Sequence, residues 1–227
     1  MKRKSYLAQI EEYETKYGDL PTDSDELLPY LAEKLQLKEK DFEKIRREDE
    51  YAKHIPWDEL VVYLPIIPRP CPRPRYSSAT RSFYVSGAGE NKKLLKYYIT
   101  DVYNIIYTQT HFDVITYLPT PVSQMSRVEI YRAEEKTLCP TSNPDWDNLG
   151  KTYSDMVQDI LLLNDNIISK GLVEKFYSIK PRVEITIKYQ CGFDSRFNKR
   201  RVTNSTAYKK AVEVGNIIEL YEGTDLW

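Results

Sequence analysis

The densest grouping of residues able to do chemistry runs from Asn143 to Asp155 (Asn-Pro-Asp-Trp-Asp-Asn-Leu-Gly-Lys-Thr-Tyr-Ser-Asp) and is followed by Asp165 and Asn166. Asp145 and Asp147 flank Trp146, where Pro144 predicts a loop giving way to a helix. Two carboxylates at such a break can converge on a hard divalent cation, because Mg2+ is usually held by one or two carboxylates plus water and substrate phosphate. Asn148 adds an amide able to orient a carboxylate or a ligand water. Asp147, Lys151, Asp155 and Asp159 step at intervals of four along one helix face, a pattern that also describes a solvated surface laced with weak ion pairs. The apolar run Ile160 to Leu163 then delivers Asp165 just before another β-rich stretch, where a buried core can present an acid at a strand edge.

The elements that must position these groups follow from periodicity and punctuation. Helical spacing of Leu27, Leu28, Leu31 and Leu35 predicts helices over 5–17 and 25–52, a helical preface with cap candidates at 22–24. Glu59 to Pro65 is β-rich. Beyond it Pro68, Pro70, Pro72 and Pro74 alternate with Arg69, Cys71, Arg73 and Arg75, which forces an extended, helix-free arm. Residues 91–107 read as an amphipathic helix, 112–118 and 128–131 as strands, and 146–163 as a helix with Leu149, Tyr153, Met156 and Ile160 on its core side. Two further β-rich runs, 167–177 and 182–189, suggest an antiparallel hairpin, and a last helix spans about 207–220. Trp146 and Tyr153 lie beside the core stripe and read as core or dimer-interface residues.

Composition narrows the function classes. The 227 residues are 41% hydrophobic and 30% charged, which describes a globular chain with enough apolar surface to offset ordering entropy. No apolar run reaches the roughly 18 to 20 residues that span a bilayer, and the opening Met-Lys-Arg-Lys turns acidic where a signal peptide needs an apolar stretch. Three widely spaced cysteines without a CxxC pair read as reduced thiols, so a cytoplasmic location is expected. Two histidines make a histidine-rich metal site improbable. The net charge of −1 hides an asymmetry: residues 1–60 sum to −5 and the remainder to +4, with seven Lys/Arg against Glu90 alone over 67–96. A local basic surface matters more than the total, because phosphates are felt over about one Debye length, roughly 8 Å.

The motif Asp-x-Asp-Asn-Leu-x-Lys-x-x-x-Asp, here Asp145, Asp147, Asn148, Leu149, Lys151 and Asp155, with an acidic position at Asp165 ten residues on, resembles the RusA-type Holliday-junction resolvases of bacteria and their phages. The resemblance takes in the proline/arginine arm at 65–75, Tyr84, Lys175-Phe-Tyr and Pro181-Arg-Val-Glu-Ile, and covers roughly 60–190. It implies an α/β (α+β) fold with a mixed sheet packed with helices. It divides the chain into a helical N-terminal extension (1–55), an endonuclease core (56–192) and a C-terminal basic loop and helix (193–227). It further implies Mg2+-dependent cleavage of four-way DNA junctions by a homodimer, with Mn2+ as a possible substitute ion.

Carried over residue by residue, the resemblance makes Asp145, Asp147, Lys151 and Asp165 catalytic. Asp145, Asp147, Asp165 and Asn166 become metal-site positions, and Arg69, Arg73, Arg75, Lys92, Lys93 and Lys175 a phosphate-tracking surface. The family commonly has a second acid where this chain has Asn166, so either Asp165 assumes the ligand role or cleavage is weakened. Lys151 is expected to stabilise charge on phosphoryl oxygens or protonate the leaving group, or else to hold Asp147 or Asp155 in a salt bridge. A junction-binding module without cleavage and a general branched-DNA nuclease are the competing readings.

Overall fold

The computed structural model describes residues 11–12, 15–18, 21, 23–70, 75–77, 82–84, 90–99 and 104–220; of Ser24, 75–77, 82–84 and Glu90 it describes the backbone alone. Two compact units divide the chain, Met1–Lys53 and His54–Trp227. In the first, α1 (Ser24–Lys34) is capped by the Asp23 side chain, which accepts from the Asp25 amide; α2 spans Glu39–His54 and runs one residue into the second unit. The expected single helix over 25–52 is therefore two. Gln36 adopts φ 53°, its amide donates to Glu33 O and the Leu37 amide to Ala32 O, a helix-ending Schellman pair without the usual glycine. Of the helix expected at 5–17, residues 5–10 lie outside the described residues, and 11–12 and 15–17 are helical.

The second unit is built on a four-stranded mixed sheet of order β1-β6-β4-β5, with β1 Trp57–Leu64, β4 Thr110–Pro119, β5 Ile168–Ser178 and β6 Arg182–Gln190. A small antiparallel pair, β2 (Arg75–Ser77) and β3 (Ser82–Tyr84), lies apart from it. β6 pairs antiparallel with both β1 and β4, whereas β4 and β5 run parallel. The expected β5–β6 hairpin does not form, because β4 is inserted between them. β4 carries the most buried pattern of the four strands, and the interior position lets it use both edges for backbone bonding while residues 179–181 pass its end.

One sheet face is covered by α3 (Glu90–Tyr98) and α5 (Trp146–Val157). Leu95 from α3 and Leu149, Tyr153, Met156 and Val157 from α5 close over Val62, Leu64, Val114, Val183, Ile185 and Ile187. α4 is Arg127–Glu134, where the sequence suggested a strand at 128–131. The reason is a capping box: the Ser126 side chain accepts from the Glu129 amide and the Glu129 carboxylate accepts from the Ser126 amide, which fixes the start of a helix.

The helix expected at 146–163 stops at Val157, after which Gln158 is extended and Asp159 has φ 64°. A continued helix would spread Leu161, Leu162 and Leu163 over different faces, whereas the break buries all three. The helix expected over 91–107 ends at Tyr98; residues 100–103 lie outside the described residues. Ile105 and Ile106 are extended and bonded through their backbones to Asn216, Leu161, Leu163 and Ile218. At the far end α6 (Arg196–Thr203) and α7 (Thr206–Val214) form a second apolar cluster with Ile105, Tyr107, Leu163 and Phe193. Gly215, at φ 69°, ends α7 six residues before Tyr221, so the helix expected to about 220 is shorter. Among the described residues no helix is long and apolar enough to cross a membrane.

Candidate functional site

Asp145 is the N-cap residue of α5 in an extended conformation, and its side chain makes no capping bond; Asp147 lies in the first turn, and both are exposed. The start of α5 is held by three contacts on β5. The Trp146 indole Nε1–H donates to Val173 O at 2.7 Å, and the Lys175 ammonium donates to Ser142 O at 2.9 Å and to Pro144 O at 3.2 Å. At Gly150 the helix backbone comes so close that an added Cβ would lie 3.0 Å from the Val173 side chain. An acid at a helix start is favoured by the positive end of the helix dipole and the first amide N–H groups, which suits the placement of Asp145 and Asp147.

Lys151 pairs with Asp155 at 3.8 Å one helical turn on; both side chains are largely exposed, and such a pair holds its partner only weakly. Lys151 is therefore a mobile cation one turn below the two acids. Asp165 and Asn166 are exposed on a short 3-10 turn (Asp165–Ile167) stabilised by the Asn164 side chain, which accepts from the Asn166 amide. Among the described residues no group of three His, Cys, Asp or Glu side chains is gathered for a metal ion. Two of the sequence-predicted acids thus lie at the start of α5, and Asp165 lies on a separate 3-10 turn without forming a group of three with them. The spacing is understandable: α5 docks at Val173, and the five steps from Ile168 to Val173 cover about 17 Å of extended chain. Two exposed carboxylates fit a Mg2+ that takes its other ligands from water and phosphate, and do not fit a closed protein cage.

Of the expected phosphate-tracking residues, Arg73 lies outside the described residues and Arg75 is described only as the first residue of β2. Arg69 is exposed, and its backbone amide donates to the Tyr153 hydroxyl at 3.4 Å, which ties the arm to the α5 core. Tyr153 is buried, with its pKa pushed up to about 12 chiefly by burial, so its hydroxyl stays protonated and remains an acceptor for that amide. Tyr153 is thus a core residue as expected. Trp146 is outside the core: the residue is 58% exposed, and its indole N–H is bonded to the edge strand β5. Lys92 is paired with Asp159 at 2.9 Å, and Lys93 is exposed.

Lys175 is the functional surprise. Sequence reading grouped it with the phosphate-tracking cations, yet its ammonium is engaged by the two carbonyls that precede Asp145. Gly150 and Trp146 were the signals for this docking: an isolated glycine inside a helical pattern marks close backbone approach, and an indole N–H at a helix start needs an acceptor. Lys175→Met keeps the stem and removes the donors. It is expected to lower turnover about 10- to 100-fold by loosening the acid pair, with an unchanged salt dependence of DNA binding. A salt slope lower by about one, with turnover at saturation intact, would instead make Lys175 a phosphate contact.

Residues 65–188, more than half of the chain, match the family described as Endodeoxyribonuclease RusA. The match encloses α5, the 3-10 turn, β5 and nearly all of β6, and leaves out the first unit, α6 and α7. The chain is also similar to YqaN of Bacillus subtilis (strain 168), an uncharacterized protein, at 36% identity over 85 residues, which are 37% of this chain and 60% of that one. The chain thus spans about 60% of the length of this relative. With β4, β5, most of β6, the two candidate acids and the lysine inside the matched segment, the chain belongs to the RusA endodeoxyribonuclease family.

Proposed function

We propose that this chain is a Mg2+-dependent, structure-selective endodeoxyribonuclease that resolves four-way DNA junctions as a homodimer in the cytoplasm. The observation that carries the reading is the exposed pair Asp145 and Asp147 at a clamped helix start inside the segment matched to the family. The two carboxylates would hold the ion. When bound, Mg2+ supplies charge neutralisation at the scissile phosphate and a bound water of lowered pKa. Lys151, held only loosely by Asp155, is free to swing to the phosphoryl oxygens and offset the charge that builds there. Trp146 and Lys175 fix the direction from which the acids meet the phosphate. Asp165 takes the third family position and joins the pair if the 164–167 turn closes on bound DNA.

The test is cleavage of a synthetic mobile junction with and without Mg2+, mapped on all four strands, beside duplex and flap DNA. Symmetric paired nicks on the junction alone are expected. Equal cutting of duplex or flaps would make the chain a general branched-DNA nuclease, and tight binding without nicks, the outcome that Asn166 favours, a junction-binding module.

The first unit is proposed to be separable from this activity. Ile55 is buried and the Pro56 carbonyl accepts from the Cys191 amide, so a truncation must stop at Lys53. Residues 54–227 alone are expected to remain folded and to cut junctions. Removal of the acidic excess should raise association with duplex DNA at low salt, where unscreened repulsion reaches furthest. Loss of the folded circular dichroism spectrum would place the helices in the catalytic core.

A further inference from the structure

A cavity of about 610 Å3 opens beside the 3-10 turn, and half of it is built by residues beyond the family match. Asn166, Ser169 and Gln109 line it from the matched core; Gln190, Asn198 and Arg201 line it from the segment that follows. Gln190 is 94% buried, being 6% exposed, and its Oε1 has no hydrogen-bond partner among the described residues. A buried amide oxygen left without a donor costs stability unless something supplies one. Gln109 and Asn198 are pre-set by their neighbours: Gln109 Nε2 donates to Ser169 Oγ at 2.9 Å, and Asn198 Nδ2 to Asp194 Oδ1 at 2.7 Å. The surrounding helix α6 carries Arg196, Lys199, Arg200 and Arg201 and no acid.

We infer that this cavity is a binding subsite for one unstacked nucleotide of the branched DNA substrate, an inference that rests on the junction-nuclease reading. The volume is within the roughly 300 to 1,000 Å3 of small-ligand sites. Amide side chains match the donor and acceptor edges of a nucleobase, and an arginine at the rim matches its phosphate. A base at a crossover has already lost part of its stacking, so extruding it costs least there. Asn166 lines the cavity and is adjacent in sequence to Asp165, so the held nucleotide would neighbour the third acidic position. Its amide, where the family has an acid, then serves the base rather than an ion. The subsite would give this chain a base preference of its own, because the residues from 189 onward are outside the matched segment.

The test uses the full chain in EDTA, which prevents cleavage, with four-way junctions carrying 2-aminopurine at successive positions around the crossover. Binding is followed separately by the anisotropy of a distal dye. One position is expected to brighten about threefold or more as its base leaves the stack. Gln190→Leu, which keeps the volume, and Arg201→Ala, an exposed change, should each halve that rise or reduce it further. Junction affinity should stay within about threefold in Gln190→Leu, since one neutral hydrogen bond is lost. The thermal midpoint of Gln190→Leu should not fall, because the unpartnered acceptor is gone, whereas a merely structural glutamine would lower it. A bound junction that brightens at no position, or equally in both variants, overturns the subsite and leaves the nuclease reading standing. Failure to bind junctions at all overturns both.

Discussion

Asp145→Asn and Asp147→Asn are each expected to lower junction cleavage by about 10³-fold or more, while junction binding stays the same or tightens. The substitutions are gentle on the fold, which makes them informative. Asparagine is as good an N-cap as aspartate, so the change at Asp145 leaves the helix start intact. At Asp147, a first-turn acid, the loss of a favourable interaction with the helix dipole amounts to about 0.3–1 kcal/mol. Neither effect approaches the roughly 4 kcal/mol that a 10³-fold loss of rate represents. What each variant would remove is one of the two proposed anionic oxygen ligands, and with it most of the hold on a hard cation. Removing an acid also reduces repulsion of DNA phosphates, hence the expectation of equal or tighter binding. Single-turnover cleavage with saturating junction is the measurement, and near-normal rates in either variant would remove the metal-ligand assignment. Asn166→Asp is the companion. If the family position is transferable, added charge maintains or raises the rate; a complete loss would show that the asparagine is structural or directly chemical.

The candidate acids and lysine were legible because their pattern is local. The sequence Asp-x-Asp-Asn-Leu-x-Lys marks a helix start whatever the rest of the chain does, and α5 begins there. The core stripe Leu149, Tyr153 and Met156 followed from period, and the fold class from the family resemblance. What the sequence concealed was where helices stop. Gln36, Lys136 and Gly215 all take positive φ after a helix, and in each case the following amide reaches back to close the last turn, yet only one of them is a glycine. The strand expected at 128–131 was a miss of a different kind, since Ser126 and Glu129 held a readable capping box that the β-branched Val128 and Ile130 outweighed. Strand order was not local at all: β5 and β6 are joined by three residues, and only the competition for the buried centre of the sheet explains why β4 lies between them. The same holds for Lys175, whose partners are 31 and 33 residues away.

Changing Arg69, Arg73 and Arg75 together to Gln is expected to lower the slope of log affinity against log salt by about 2.7, since each neutralised phosphate on duplex DNA contributes about 0.9. Between 50 and 200 mM salt that difference amounts to about a 40-fold change in how steeply affinity is lost. The arm can be stripped of charge without being released, because the contact that anchors it is made by the Arg69 backbone amide on the Tyr153 hydroxyl. That hydroxyl stays protonated well above neutral pH, its pKa being pushed up to about 12. Cleavage at saturating DNA should therefore recover most of its rate, which separates affinity from chemistry. Lys92 and Lys93 provide an internal comparison on α3. Lys92 is neutralised by Asp159 at 2.9 Å and must leave that pair to meet a phosphate, so Lys92→Gln should change the slope by less than Lys93→Gln does. An unchanged slope with full affinity in the triple variant would reduce the arm to a proline-stiffened linker. A slope that falls as expected while the saturated rate stays low would mean that the arginines also direct the scissile strand toward Asp145 and Asp147.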